Sequence, residues 1–372
     1  MKVRWLIWMA LSLLLFSCAK ENGGSVPASN DEPVPILFQT SMTIQQEERE
    51  EPKSAIDTWS GQELMVFGIH RRNGVLDLSR SGRYIDGVKT SAPSGGYGGY
   101  ISLNNEQTDN PYFYPTQGTL DFFSCCLAGA TYPSDLFETY TESGRTLRRI
   151  AEKYINSQAM TLAFNITVNG TQDVMTAYAD RVADSRRSDV ISPDEAYSSH
   201  SARENVYPTL HFSHVLSRLS IKAKAVSSGL TVRNVSVNAR NKARLVAVRP
   251  NPGSTPSLEI DPEDAPGTLI VETPASLGQS ELPTDRFQDL GDCMIVPGDT
   301  QCMVFFTIKQ DGKDGEGTTN VTVDMSQYGL TFKSGMWYDI NLSIFGPHEV
   351  TMTVTMNPWG AGYGEFEINP DI

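Results

Sequence analysis

Trp337-Tyr338-Asp339-Ile340-Asn341-Leu342-Ser343-Ile344, followed after a short turn by Val350-Thr351-Met352-Thr353-Val354-Thr355-Met356, decides the fold class of this chain. In the first stretch Tyr338, Ile340, Leu342 and Ile344 alternate with Asp339, Asn341 and Ser343. In the second, Val350, Met352, Val354 and Met356 alternate with threonines. A period of two sends alternate side chains to opposite faces of a pleated strand, and β-branched and aromatic residues fit that surface. The pair predicts two neighbouring half-buried strands.

The same signature recurs upstream. Residues 216–226, 231–239, 245–248, 268–273, 293–296, 303–309 and 320–325 read as strands with turn chemistry between them. In the first half, Ile36, Phe38, Thr40, Met42 and Ile44 share one parity of a strand over 36–44, and 64–70 is the next strand. Asn73-Gly74 and Asp86-Gly87 are both expected to turn hairpins, and the Gly-rich run 95–100 to form a loop or bulged edge. One helix is expected, because Leu147, Ile150, Ala151, Tyr154 and Ile155 recur at helical spacing. A shorter turn is expected at Ser192-Pro193-Asp194-Glu195. Regularly spaced short strands of this kind indicate β-sandwiches. The length exceeds what one core usually holds, so two domains are expected, 36–209 and 210–372.

The N-terminus carries a different signal. Lys2 and Arg4 precede a run, residues 5–16, that is apolar except at Ser12. It has signal-peptide length and falls short of the roughly 20 apolar residues that span a bilayer. Leu15-Phe16-Ser17-Cys18 resembles a lipobox, although Phe16 stands where a smaller residue is usual. Residues 1–17 are expected to be a lipoprotein signal peptide and Cys18 the acylated first residue of the mature chain. Each buried acyl CH₂ contributes about 0.8 kcal/mol, so several chains make a lasting anchor. Residues 18–35 read as a flexible tether. Removing 1–17 takes away two cations and no acid, and the net charge goes from −14 to −16. That acidity, without a basic run, excludes nucleic acid as a partner.

Catalytic and metal motifs are missing from the sequence. There is no Gly-x-Ser-x-Gly, His-Glu-x-x-His or Cys-x-x-Cys, so no enzyme, cofactor or metal is expected. Cys125 and Cys126 are adjacent and would face opposite ways on a strand. Cys293 and Cys302 flank Pro297-Gly298-Asp299 and could face each other across a hairpin, with a disulfide left open by the unknown register; the other reading is two small buried hydrophobes. His211 and His214 would also point to opposite faces and share no ligand. The acids near Asp311 lack calcium-ligand spacing.

Several segments together resemble the fimbrillin family of Bacteroidetes, its pilins and their anchoring or accessory subunits. They run in order: the lipobox cysteine, the apolar strand 36–44, a charged loop with Lys53-Ser54-Ala55, and Trp59-Ser60-Gly61-Gln62-Glu63-Leu64. Asp173-Val174-Met175-Thr176-Ala177 and Leu210-His211-Phe212-Ser213-His214-Val215-Leu216-Ser217-Arg218-Leu219 follow. Ile295-Val296-Pro297, Ser334-Gly335-Met336-Trp337-Tyr338 and Asn357-Pro358-Trp359-Gly360 complete the set. The resemblance implies an all-β chain of two tandem transthyretin-like Greek-key β-sandwich domains. It also implies a fimbrial role: export to the outer membrane, cleavage after a basic residue behind the first strand, and filling of the vacated groove by another subunit's C-terminal strand. Arg49 is the candidate cleavage site, and Val350, Met352, Val354 and Met356, with residues 363–368, form the candidate donor. Partners would be other fimbrial subunits and host or bacterial surface ligands. The alternative reading is a surface glycan-binding lipoprotein using Tyr97, Tyr100, Tyr112 and Tyr114.

Overall fold

The fold is seen in a computed structural model, which describes residues 32–42, 59–96, 98–103, 111–142, 144–253, 256–311, 316–347, 349–358 and 366–368. Cys18, Ile44, Arg49 and Tyr97 lie outside the described residues. The chain is all-β, built of several twisted sheets that pack face to face without closing into a barrel.

The largest sheet orders its strands as Val75–Leu76, Glu63–Arg72, Thr119–Cys126, Met175–Ala179, Thr209–His214, Leu37–Met42 and Gly98–Ser102, with Arg83–Ser91 also on Glu63–Arg72. Its central strands are buried on both faces, which is why 120–126 carries apolar residues at both parities around Asp121 and Ser124, whereas Thr209–His214 alternates buried and exposed. Leu64, Val66, Phe122, Cys126, Leu210 and Phe212 point into a smaller core together with Ile36 and Phe38. Met65, Phe67, Phe123 and Cys125 point into a larger one. The adjacent cysteines 125 and 126 thus serve two different cores, as strand parity requires.

The sequence pair that opened the reading sits in a second sheet, ordered Gln288–Ile295, Ser217–Ala225, Met336–Gly346, Glu349–Pro358 and Phe366–Ile368. Its inner face presents Leu219, Ile221, Tyr338, Ile340, Val354 and Met356 to the larger core. That core is shared with Val232, Val237, Val304 and Phe306 of a third sheet, Gly267–Ile270, Leu230–Ala239, Gln301–Gln310 and Glu316–Asp324. Among the described residues, strand pairing crosses residue 210 at three places, one of them the parallel pairing of Leu37–Met42 with Thr209–His214. Thr209–His214 pairs with Met175–Ala179 in the first sheet, and Thr161–Thr167 pairs with Lys242–Val248. The larger core likewise takes residues from Met65 to Met356.

Several local expectations change. Residues 145–150 form a strand, Arg145–Ile150, paired with Phe137–Glu142, and only Glu152–Tyr154 turns, as a 3₁₀ helix. The expected helix loses to cross-strand contacts: Arg149 Nε donates to Glu138 Oε1 at 2.6 Å, and the Arg148 guanidinium lies 4.2 Å from the Phe137 ring centroid. Asn73-Gly74 turns a hairpin with both residues at positive φ. Asp86-Gly87 instead makes a bulge inside Arg83–Ser91, with Gly87 at φ 73° and skipped in the pairing. Cys293 and Cys302 sit on strands of different sheets and not across one hairpin ladder; both are free thiols buried in the larger core. Packing begins before residue 36: Val34, inside the stretch read as tether, is 4% exposed.

Candidate assembly groove and donor strand

The first strand, Leu37–Met42, lies between two neighbours. It pairs in parallel with Thr209–His214 over residues 39–42, and antiparallel with Gly98–Ser102 over residues 37–41. Parallel pairing with a strand so distant in sequence needs a crossover, which here spans most of the first half of the chain. Its inward parity is Val34, Ile36, Phe38 and Thr40, all buried. Phe38 meets Phe122 edge-to-face at 4.9 Å, and Trp59 meets Phe212 at 5.0 Å in the same small core. Thr40, the polar member, donates its hydroxyl to Gly99 O at 3.1 Å. Fully burying each of the larger side chains stabilises by roughly 1.5–3 kcal/mol. Removing this strand would leave an apolar slot with unpaired backbone groups on either side.

The candidate donor, Glu349–Pro358, is hydrogen-bonded along its length to Met336–Gly346. Val350, Met352, Val354 and Met356 share one face, as their spacing predicts. Val354 and Met356 are each 5% exposed in the larger core, and Val350 and Met352 are half-buried against it. On its other edge the strand pairs with Phe366–Ile368 through only Val354, Thr355 and Met356. Among the described residues, nothing pairs with the outer edge of 349–353.

The remaining candidates separate as their parity requires. His211 is exposed and its Nδ1 lies 2.5 Å from Ser41 Oγ. His214 is buried and sits 2.9 Å from Asp173. Among the described residues, no group of three His, Cys, Asp or Glu is placed to hold a metal. Tyr114 is buried, not exposed, while Tyr112 is half-buried and lines a 480 Å³ cleft with Thr139, Arg145 and Arg148.

Burial raises the thiols of Cys125, Cys293 and Cys302 and pushes Cys126 up to about 12. The thiolate is the reactive form, so a thiolate-specific reagent at mildly alkaline pH is expected to leave all four unmodified in the native protein and to label them once urea unfolds it. Native-state labelling of any of the four, read by intact-mass spectrometry, would contradict this packing.

Sequence reasoning missed the buried charges. Asp121, in the apolar run Leu120-Asp121-Phe122, is held by Arg71 at 2.7 Å and also by Arg181. Arg218, 2% exposed, pairs with Asp292 at 2.5 Å and lies beneath Trp337. For Asp121 the available signal was an ionisable residue set among apolar ones on a strand; Arg218 has the outward parity of its strand and is covered by Trp337, so its burial gave no such signal.

No protein-family model and no curated protein matches the chain. Solved structures resemble it. A candidate cell adhesion protein of Bacteroides uniformis is 15% identical, with 89% of this chain and 99% of that one covered at a TM-score of 0.47. One from Bacteroides ovatus is 12% identical, with 89% and 100% covered at 0.48. The tip fimbrial protein Mfa3 of Porphyromonas gingivalis, truncated at its C-terminus, is 9% identical, with 87% and 99% covered at 0.38. Fimbrial and adhesion proteins thus stand among the structural neighbours, but likeness at this level carries no role over by itself.

Proposed function

We propose that this chain is a non-enzymatic subunit of a surface fimbria, structural or adhesive, anchored in the outer membrane through Cys18 and assembled with other subunits by strand exchange. The observation that carries the reading is the first strand. Ile36 and Phe38 on its inward side are buried, its backbone pairs with two strands that are not its neighbours in sequence, and its C-terminal connection to the fold runs through the segment holding Arg49. An exposed sheet edge templates an incoming strand, and alternate apolar side chains give that strand its register. The order of segments resembling fimbrillins points the same way. The division into tandem transthyretin-like Greek-key sandwiches belongs to this proposal, with Thr209–His214 counted in the first unit.

The deciding experiment is N-terminal sequencing of the surface-exposed protein. A start at Glu50 supports cleavage after Arg49, a start at blocked Cys18 supports a retained anchor, and a start within 5–17 rejects both. Cys18→Ala is expected to abolish acylation and move the protein out of the membrane fraction. A mutant that still partitions into detergent like the parent would refute the lipoprotein reading. A second reading, glycan binding, draws on the cleft beside Tyr112, where guanidinium and hydroxyl groups surround an aromatic ring. It calls for a saccharide-dependent rise in melting temperature that Tyr112→Ala removes.

A further inference from the structure

The small core that receives the first strand is roofed by residues 180–209, which place Ile191, Ala196, Tyr197, Ala202 and Val206 over it. This segment is fixed to the sheet from below. Arg181 pairs with buried Asp121 and donates to Leu120 O at 2.5 Å. The side chain of Asp184, 2% exposed, accepts from Tyr197 Oη at 2.6 Å and from Thr209 N at 2.8 Å. Its two short helices are capped by Asp180 and Ser198, so their register is set locally.

From that base one arginine reaches the first strand and a second reaches the segment leading into it. Arg187 lies 3.1 Å from Asp184, which aims its guanidinium. One of its nitrogens donates to Gln39 Oε1 at 2.7 Å, and another donates to Thr209 Oγ1 at 2.9 Å. Thr209 is the residue paired with Gln39 in the parallel ladder, and its hydroxyl donates to the same Gln39 oxygen at 3.3 Å. Further back, Arg203 donates to Glu32 O at 2.8 Å. The strand is therefore gripped at Gln39, and the segment leading into it is gripped at Glu32. These grips supplement two short ladders, one of which is to Gly98–Ser102, a strand with no other partner among the described residues.

Resting on the strand-exchange reading, we propose that residues 180–209 form a clasp that sets how readily the first strand leaves, with Arg187 and Arg203 as its two contacts. Charge-assisted hydrogen bonds are stronger than neutral ones, and a strand leaves only when its fixing contacts have opened together. Loosening the two contacts would raise the open population without touching the apolar seat of Ile36 and Phe38. The clasp thus acts on the strand's opening and has no part in choosing what replaces it.

The test is hydrogen–deuterium exchange on the intact protein. Arg187→Ala combined with Arg203→Ala is expected to speed exchange in residues 32–42 at least tenfold, while Ser217–Ala225 and Met336–Gly346 keep the parent's protection. Gln39→Ala, which removes the acceptor and leaves the clasp whole, is expected to shift the same peptide by a smaller factor. Unchanged protection of 32–42, or a loss spread evenly over the chain, would overturn the clasp. Separately, each protein is cut with an Arg-specific protease and offered a labelled synthetic peptide of residues 32–44. Faster uptake by the double variant supports control by the clasp, and uptake at the parent's rate despite loosened strands rejects it. No uptake by any protein, the parent included, rejects strand exchange and leaves the hold on the strand to be judged by the deuterium result alone.

Discussion

Val354→Asp is expected to destabilise the protein by about 4 kcal/mol or more, the range reached when an unpaired charge is forced into a core. Val354 is 5% exposed, faces the larger core with Met356, and is flanked in its sheet by Ile340 and Ile368. Aspartate fits the volume but would point into the apolar core, so it must enter neutral or stay out. Urea unfolding followed by circular dichroism reads the effect as a lower midpoint. Thr351→Asp, exposed and of opposite parity, is expected to stay within about 0.5 kcal/mol of the parent. Equal midpoints for the Val354 variant and the parent would mean that the strand's faces have been assigned the wrong way round. The consequence for assembly is direct. A charge at Val354 damages the subunit's own fold, so it cannot report selectively on whether this strand serves a neighbour.

What the sequence made legible was parity; what it hid was partnership. Period-two alternation identified the inward sets Ile36 and Phe38, Tyr338 to Ile344, and Val350 to Met356, because each side chain's face follows from its own strand alone. Which strand lies beside which depends on contacts far apart in sequence. Nothing in 37–42 announces Thr209–His214 as its parallel neighbour, and nothing in 161–167 announces Lys242–Val248. Residues 147–155 misled because apolar positions three and four apart suit a helix as well as a short strand ending in a 3₁₀ turn. Only the facing strand Phe137–Glu142, with Glu138 and Phe137 placed for two arginines, decides between them. Asp86-Gly87 misled for a related reason. Gly at positive φ serves a tight turn and a bulge alike, and here Asp86 accepts from Arg83 Nε and Ile150 N, which fixes the bulge in place. The clasp was invisible because its arginines look, in sequence, like ordinary solvated charges.

Cleavage after Arg49 is expected to convert the monomer into oligomers that survive detergent and dissociate on boiling. The cut alone does not eject the first strand. Val34, Ile36 and Phe38 still lie in the small core, and the ladders to Thr209–His214 and Gly98–Ser102 remain. Oligomers should therefore appear slowly after cleavage, and faster in mild denaturant or in a Phe38→Asp variant, whose strand is seated poorly. A chain made without residues 32–42 should assemble with no protease at all. The incoming strand must offer apolar side chains at alternate positions, and the far end of the chain supplies them. Phe366–Ile368 is held by three residue pairs, whereas Glu349–Pro358 is held along its whole length. The terminal segment is thus the part that can leave at least cost, and deleting residues 359–372 is expected to stop assembly while the unfolding midpoint moves little. The measurement is an unboiled gel read beside N-terminal sequencing. Protein that begins at Glu50, has shed its first strand and still runs as a monomer would reject strand exchange. Ladders from the chain lacking 359–372, as long as those of the parent, would move the donor to residues 349–353, whose outer edge has no partner among the described residues.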